Sequence, residues 1–92
     1  MGKDIVIYSS SVGRMLIPKQ TSSLVTIVKA HTGAEPKVVY LDIVDAEFRK
    51  SIWDKSGKRA VYPLLFVDDE FIGDYDTVVD LNECELLKPK LI

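Results

Sequence analysis

The residues of this chain that could carry chemistry are few and scattered. The sequence has one cysteine, Cys84, and one histidine, His31. Three serines, Ser9 to Ser11, follow the first apolar segment, but a serine nucleophile needs a base beside it, and His31 belongs to the far end of the next helix. Cys84 and His31 are too few soft ligands for a metal site. We therefore expect no catalytic residue, no metal and no cofactor.

The composition is that of a small folded domain. The chain has 92 residues, of which 47% are hydrophobic and 28% are charged, and we assign residues 1–92 to a single domain. The formal net charge of -2 and the interspersed signs predict no nucleic-acid surface. No apolar run approaches the roughly 20 residues that span a bilayer, so no membrane is expected. No secretory leader is recognisable, and one cysteine cannot form an intrachain disulfide, so a cytoplasmic location is predicted.

Short β-branched segments alternate with segments of helical spacing. The sequence predicts four strands, near Ile5–Tyr8, Val38–Leu41, Leu64–Val67 and Glu70–Ile72. Asp68 and Asp69 tolerate the backbone of a tight hairpin between the last two strands. Three helices are predicted, from Pro18 to about His31, from Ala46 to Ser56, and from near Asp74 or Asp76 onward. A strand, a helix and a strand in succession predict that the first two strands are parallel.

The same patterns predict helix ends and buried faces. Gly33 and Gly57 suit helix C-termini, and Asp45 suits an N-cap. Arg49 is expected to point to water, and the lone cysteine to be a small buried side chain. Trp53 is either core or an exposed anchor for a partner. Apolar side chains of all three helices and of the tail are expected on the core. In the second helix and the tail these are Phe48, Ile52, Trp53, Leu86, Leu87, Leu91 and Ile92, and in the third helix Val78, Val79 and Leu81.

The stretch from Val61 to Asp76 resembles the second half of a glutaredoxin. It contains an X-Pro bond before a strand, a hairpin, a glycine and an acidic helix start. The resemblance implies an α/β thioredoxin-like fold of order β-α-β-α-β-β-α, with a four-stranded mixed sheet flanked by helices. It also implies a cis Tyr62-Pro63 bond. A glutaredoxin carries a cysteine just after its first strand, whereas residues 9–16 contain none, and disulfide exchange begins with a thiolate.

A closer resemblance is to the SH3-domain-binding glutamic-acid-rich-like family. The motifs that carry it are Tyr8-Ser9-Ser10-Ser11, Lys19-Gln20, Tyr62-Pro63 and Gly73-Asp74-Tyr75-Asp76. The family is one of small cytosolic thioredoxin-like proteins without redox cysteines, which are thought to act as interaction modules. Some members have a Pro-x-x-Pro run near the cis proline. This chain has a single proline there, so we do not expect it to bind an SH3 domain.

The resemblance also implies a groove for a peptide or a glutathione-like ligand. The expected groove residues are Ser11, Arg14, Tyr62, Pro63, Asp74, Tyr75 and Asp76. In glutaredoxins the turn that corresponds to Gly73 to Asp76 of this chain holds the carboxylate of glutathione, and an acidic side chain there takes its amine. Asp74 stands where a second glycine is usual, and its carboxylate could occupy the helix start itself, so glutathione binding is expected to be weak. Asp74 and Asp76 could equally be caps without a ligand.

These observations favour a non-catalytic glutaredoxin-like module that binds a protein partner. The alternative is a glutathione-binding protein, or a weak thiol-disulfide oxidoreductase, that uses a residual glutaredoxin groove. A further possibility is a subunit that dimerises through an exposed strand or through the apolar run Met15-Leu16-Ile17.

Overall fold

The computed structural model describes residues 3–11, 15–59 and 61–91. Their elements are β1 (Ile5–Ser9), α1 (Leu16–Thr32), β2 (Lys37–Tyr40), α2 (Ala46–Ser56), β3 (Leu64–Val67), β4 (Glu70–Asp74), α3 (Tyr75–Glu83) and α4 (Lys88–Leu91). The predicted order of strands and helices is confirmed as far as α3. The short α4 was not predicted, because Pro89 disfavours a helix except in its first turn, which is where Pro89 lies.

The four strands form one mixed sheet in the order β2-β1-β3-β4. β1 pairs with β2 in parallel and with β3 antiparallel, and β3 and β4 form an antiparallel hairpin. Asp68 and Asp69 adopt positive φ angles of 50° and 67° in the turn, as their residue types allow. The predicted fold class is confirmed.

Two apolar clusters cover the two faces of this sheet. On one face, β1 and β3 pack against α1 and α3 through residues such as Ile7, Leu24 and Val78. On the other face, Leu64 and Phe66 pack against Ile52 of α2 and its neighbours. Since β3 lies inside the sheet and has helices on both faces, all four of its residues are buried.

Local chemistry explains where the helices begin and end. Asp45 caps α2 by accepting a hydrogen bond from the N–H of Phe48 at 2.8 Å. Gly33 and Gly57 end α1 and α2 in the left-handed conformation, at φ angles of 74° and 69°. These predictions are confirmed. Pro18 is the third residue of α1 rather than its first, which still places it within the first turn.

Four predictions about exposure were wrong. Phe48 is 40% exposed, because it lies in the first turn of α2, and its ring lies tilted against that of Tyr8, with 6.0 Å between the ring centroids. Arg49 turns inward instead of toward water. Leu86 is 55% exposed, although Leu87 and Leu91 of the same tail are buried as predicted. Cys84 is exposed as well, because it follows the last turn of α3. Ile92 lies outside the described residues.

Within the described part of the chain, no helix is long and apolar enough to cross a membrane. Those residues also contain no group of three or more His, Cys, Asp or Glu side chains placed to hold a metal ion.

Candidate functional site

The strand register brings three chain segments to one end of the sheet. Tyr8 is opposite Leu64, and Leu64 is opposite Asp74. The loop that follows β1, the Tyr62-Pro63 junction before β3 and the start of α3 after β4 therefore lie side by side. The sequence predicted this convergence for the groove residues. Arg14, predicted for the opposite wall, lies outside the described residues.

The Tyr62-Pro63 peptide bond is cis, as predicted. Pro63 is fully buried, and Tyr62 is half-buried against the cluster on the α2 face of the sheet. The junction thus forms the floor between the two other segments.

Asp74 ends β4 and caps α3. Its carboxylate accepts a hydrogen bond from the N–H of Thr77 at 3.0 Å. This bond is the main reason why the pKa of Asp74 is lowered from its usual value, with partial burial acting in the opposite direction. The carboxylate satisfies a free N–H that an incoming anion would otherwise use, and it adds a negative charge at the same place. The sequence raised this possibility.

Gly73 is required by packing inside the wall of the site. A Cβ atom at this position would lie 2.7 Å from Cγ2 and 2.8 Å from Cβ of Thr77. The chain therefore folds back on itself too closely for a larger residue. The glycine needs no ligand to explain it.

The first turn of α3 completes this side of the site. Tyr75 is half-buried and packs against the cluster on the α1 face, so its ring serves partly as core. Asp76 is exposed and leaves a carboxylate at the open surface. Of the residues predicted on α3, Asp76 is the one best placed to meet a ligand.

The opposite wall is held by a residue that sequence reasoning missed. Asp42, just after β2, accepts hydrogen bonds from both the N–H of Ser11 at 2.8 Å and the hydroxyl of Ser11. The pKa of the Asp42 carboxyl is lowered chiefly by the bond from this hydroxyl. Thirty-one positions separate the two residues. No local pattern signals such a contact.

Arg49 fixes the segment that carries Asp42. Its guanidinium donates to the carbonyl oxygen of Leu41 at 2.7 Å, to that of Asp42 at 3.4 Å and to that of Val44 at 3.3 Å. A side chain of α2 thereby shapes the loop after β2, which in turn holds Ser11. We name the contacts of Ser11, Asp42 and Arg49 the loop latch.

Two of the three serines make side-chain hydrogen bonds outside their own loop. The hydroxyl of Ser9 lies 2.7 Å from that of Thr21, and both are buried. Thr21 also donates to the carbonyl oxygen of Ile17 at 2.8 Å. This chain of bonds ties β1 to the first turns of α1, as Ser11 ties the loop to Asp42. These hydrogen bonds of Ser9 and Thr21 involve no histidine and no carboxylate.

A cavity of about 440 Å³ adjoins this end of the sheet, and its described lining does not include Tyr62 or Asp76. It lies between α1 and β2, and it shares Ser11 with the predicted groove. Its apolar walls include Pro18, Val25, Val38 and Tyr40, and serine and threonine hydroxyls line the remainder.

The two remaining chemically notable residues lie elsewhere. His31 contacts Asn82 through its Nε2 atom at 2.7 Å, which joins the ends of α1 and α3. Cys84 follows α3 at the end opposite to Asp74. Neither residue reaches the predicted groove.

Trp53 is half-buried, between the two alternatives left open by the sequence. Its indole Nε1 is buried without a hydrogen-bond acceptor among the described residues. The guanidinium carbon of Arg59 lies 5.6 Å from the centre of the indole ring. The ring is therefore covered in part by a cation instead of being presented as a free aromatic surface.

The apolar run Met15-Leu16-Ile17 lies at the start of α1, and its first two residues are open to solvent. Met15 is 88% exposed and Leu16 is 60% exposed, whereas Ile17 is half-buried. Met15 occupies the N-cap position and offers no side-chain cap.

No protein-family model and no curated protein sequence matches this chain. Solved structures do. The C. albicans actin interacting protein Aip5 superposes with a TM-score of 0.78 at 22% sequence identity, over 97% of this chain and 88% of that chain. Holo glutaredoxin C1 from Populus tremula x tremuloides superposes with a TM-score of 0.68 at 27% identity, over 94% of this chain and 80% of that chain. The glutaredoxin of a buckwheat glutaredoxin-glutathione complex superposes with a TM-score of 0.72 at 21% identity, over 97% of this chain and 76% of that chain.

These likenesses confirm the predicted fold and agree with the resemblance to the SH3-domain-binding glutamic-acid-rich-like family. The chain has the thioredoxin-like fold of the glutaredoxins.

Proposed function

We propose that this chain is a non-catalytic interaction module that binds a protein partner at the groove between the loop latch, Tyr62 and Asp76. The observation that carries the proposal is the position of the single thiol. Cys84 lies nine residues beyond Tyr75, which is about 14 Å along a helix. A thiolate there cannot attack a disulfide held at the other end of α3, because exchange needs direct contact between sulfur atoms.

The groove itself supports a binding role. The backbone around it is positioned by hydrogen bonds that do not depend on a ligand, which lowers the entropy lost when a partner binds. The exposed carboxylate of Asp76 provides orientation for a partner of opposite charge. One structural neighbour is named as an actin interacting protein, which supports an interaction role for this fold.

Glutathione binding is the second candidate, and one neighbour is a glutaredoxin-glutathione complex. The Asp74 carboxylate weighs against it, because it already accepts the Thr77 N–H at the helix start. We propose weak binding at most, no SH3-domain partner and a cytoplasmic location.

The absence of catalysis is tested by glutathione-dependent reduction of a small mixed disulfide. We expect no turnover above the uncatalysed rate for wild-type protein and for Cys84→Ser alike. Turnover that disappears in Cys84→Ser would overturn the proposal and assign an oxidoreductase.

The binding surface is tested by affinity purification with two matched charge reversals on α3. Asp76→Lys changes the groove, whereas Asp80→Lys makes the same exposed change one turn further along the helix. We expect partners that bind directly to wild-type protein and to Asp80→Lys to be lost with Asp76→Lys. Equal retention by both variants would exclude the groove as the contact surface.

A further inference from the structure

The outer edge of β2 is an unpaired strand edge. β2 is the first strand of the sheet, so one side pairs with β1 and the other side pairs with no described strand. A row of outward N–H and C=O groups is a template for another extended chain. The edge is short, with four residues from Lys37 to Tyr40.

The register shows which main-chain groups point outward. Leu41 donates its N–H to the carbonyl oxygen of Ser9 in β1, at 2.8 Å. Because main-chain direction alternates along a strand, Val39 faces β1 as Leu41 does, and Val38 and Tyr40 face outward. The Tyr40 carbonyl already accepts from the N–H of Ile43 at 3.3 Å. The main-chain N–H and C=O of Val38 and the N–H of Tyr40 are thus directed at a potential new strand.

The cavity between α1 and β2 lies on the face where the side chains of an added strand would point. Val38 and Tyr40 line this cavity together with Val25 of α1. Side chains on one face of a strand recur at every second residue, so an added strand would place alternate side chains over the cavity. Its volume of about 440 Å³ accommodates side chains of moderate size.

A charge at the start of β2 selects among extended partners. Lys37 is exposed, and neither of the ion pairs found among the described residues involves it. The neighbouring Lys29 is paired with Glu35 at 3.7 Å. Lys37 therefore remains available to a carboxylate of an incoming chain.

We infer that the β2 edge binds an extended acidic-apolar peptide segment of a partner protein as a fifth strand. The peptide runs antiparallel to β2, which is the more stable pairing. Alternate apolar side chains enter the cavity, and an acidic residue near its carboxyl-terminal end meets Lys37. The β2 edge is not part of the proposed groove, although Ser11 of the loop latch also lines the cavity. The inference does not require the groove to bind anything.

The edge disfavours a second copy of this chain as the occupant. A second copy would bring a second Lys37, with the same positive charge, to the edge, and a lysine on an edge strand resists such pairing. A peptide with a carboxylate at the matching position neutralises Lys37 instead.

The test selects dodecapeptides from a random display library on immobilised full-length protein. The selected peptides are then titrated against wild-type protein and three variants. Val38→Pro removes an outward N–H and no bond to β1. Lys37→Glu reverses the charge at the edge, and Lys50→Glu makes the same change on the exposed surface of α2 as a control. The shifted amides are mapped by NMR, and sedimentation reports the oligomeric state.

We expect selected peptides to contain an acidic residue and alternate apolar residues, and to shift the amides of Val38 and Tyr40. Binding weakens about tenfold with Val38→Pro, the size expected for one lost hydrogen bond. It weakens about fivefold with Lys37→Glu, is regained when the acidic residue of the peptide becomes lysine, and is unchanged with Lys50→Glu. If Val38→Pro does not fold, Lys37→Glu and the amide map decide.

Three results overturn the inference. One is that no peptide is selected, or that selected peptides bind Lys37→Glu as tightly as wild-type protein. Another is that the peptides shift the NMR signals of the Tyr62 and Asp76 amides instead of those of Val38 and Tyr40. That result supports the proposed groove and excludes the edge. The last is a wild-type dimer that dissociates in Lys37→Glu, which assigns the edge to a second copy.

Discussion

The two walls of the proposed groove are built in different ways. The α3 wall is made by residues close in sequence, since Gly73, Asp74 and Thr77 contact one another within a single turn. The loop latch joins residues from separate elements, with Ser11 and Arg49 meeting across Asp42. The α3 wall is therefore determined by its own segment. The other wall depends on the rest of the fold being in place.

The largest effect is expected at Gly73, which tests how tightly the α3 wall is closed. Gly73→Ala places a Cβ 2.8 Å from Cβ of Thr77, an atom that no side-chain rotation can move. We expect a loss of about 3 kcal/mol in the free energy of unfolding, measured by urea denaturation. Gly57→Ala is the control. It meets no atom within 4 Å but has a positive φ, and we expect a loss of about 1 kcal/mol. An equal loss of unfolding free energy in the two variants would mean that Thr77 moves aside at little cost to admit the added Cβ.

A smaller effect is expected at Arg49, which tests how much the loop latch stabilises the fold. Arg49→Ala leaves the carbonyl oxygen of the buried residue Leu41 without its donor. We expect a loss of about 2 kcal/mol, again by urea denaturation, together with faster hydrogen exchange at Ser11. The exposed neighbour Lys50 supplies the control, and Lys50→Ala should change stability by less than about 0.5 kcal/mol. An unchanged exchange rate at Ser11 would show that Arg49 does not hold the latch.

The smallest effect is expected at Asp74, and it depends on pH. Asp74→Ala removes the cap and should cost about 1 kcal/mol at pH 7. Because the folded-state pKa of Asp74 is lowered, its stabilising contribution is present above the unfolded pKa of about 3.9 and is lost as the pH falls through the lower folded value.

The check for Asp74 is urea denaturation of wild-type protein and Asp74→Asn between pH 6 and pH 2. Asn keeps a capping oxygen but does not titrate in this range. We expect the loss of stability toward low pH to be smaller in Asp74→Asn than in wild-type protein. The same loss in both would show that the Asp74 charge contributes nothing to the α3 wall.

The contrast between the walls also explains what the sequence could predict. Asp45, Gly57 and the Asp68-Asp69 turn were predicted from local residue chemistry, and the cis Tyr62-Pro63 bond from the family resemblance. These features depend on a few neighbouring residues, as the α3 wall does. The strand order followed because short β-branched segments and helical segments alternate in a pattern with few topologies.

The loop latch could not be predicted, for the same reason. Arg49 looked like an ordinary surface residue of α2, since helical spacing cannot show that three carbonyl groups of the preceding loop turn toward it. Phe48 looked like a core residue, but the first turn of α2 leaves it partly uncovered. Contacts between distant segments and the exact limit of a buried face are properties of the assembled fold.

The exposed cysteine has a practical consequence. Because the sequence has one thiol and Cys84 is open to solvent, a maleimide dye or a spin label would attach at a single known place. That place is at the opposite end of α3 from Asp74 and is not part of the β2 edge. The unaltered protein thus carries a single label position that belongs to neither surface, suited to following partner association by fluorescence anisotropy or by distance measurement between labels.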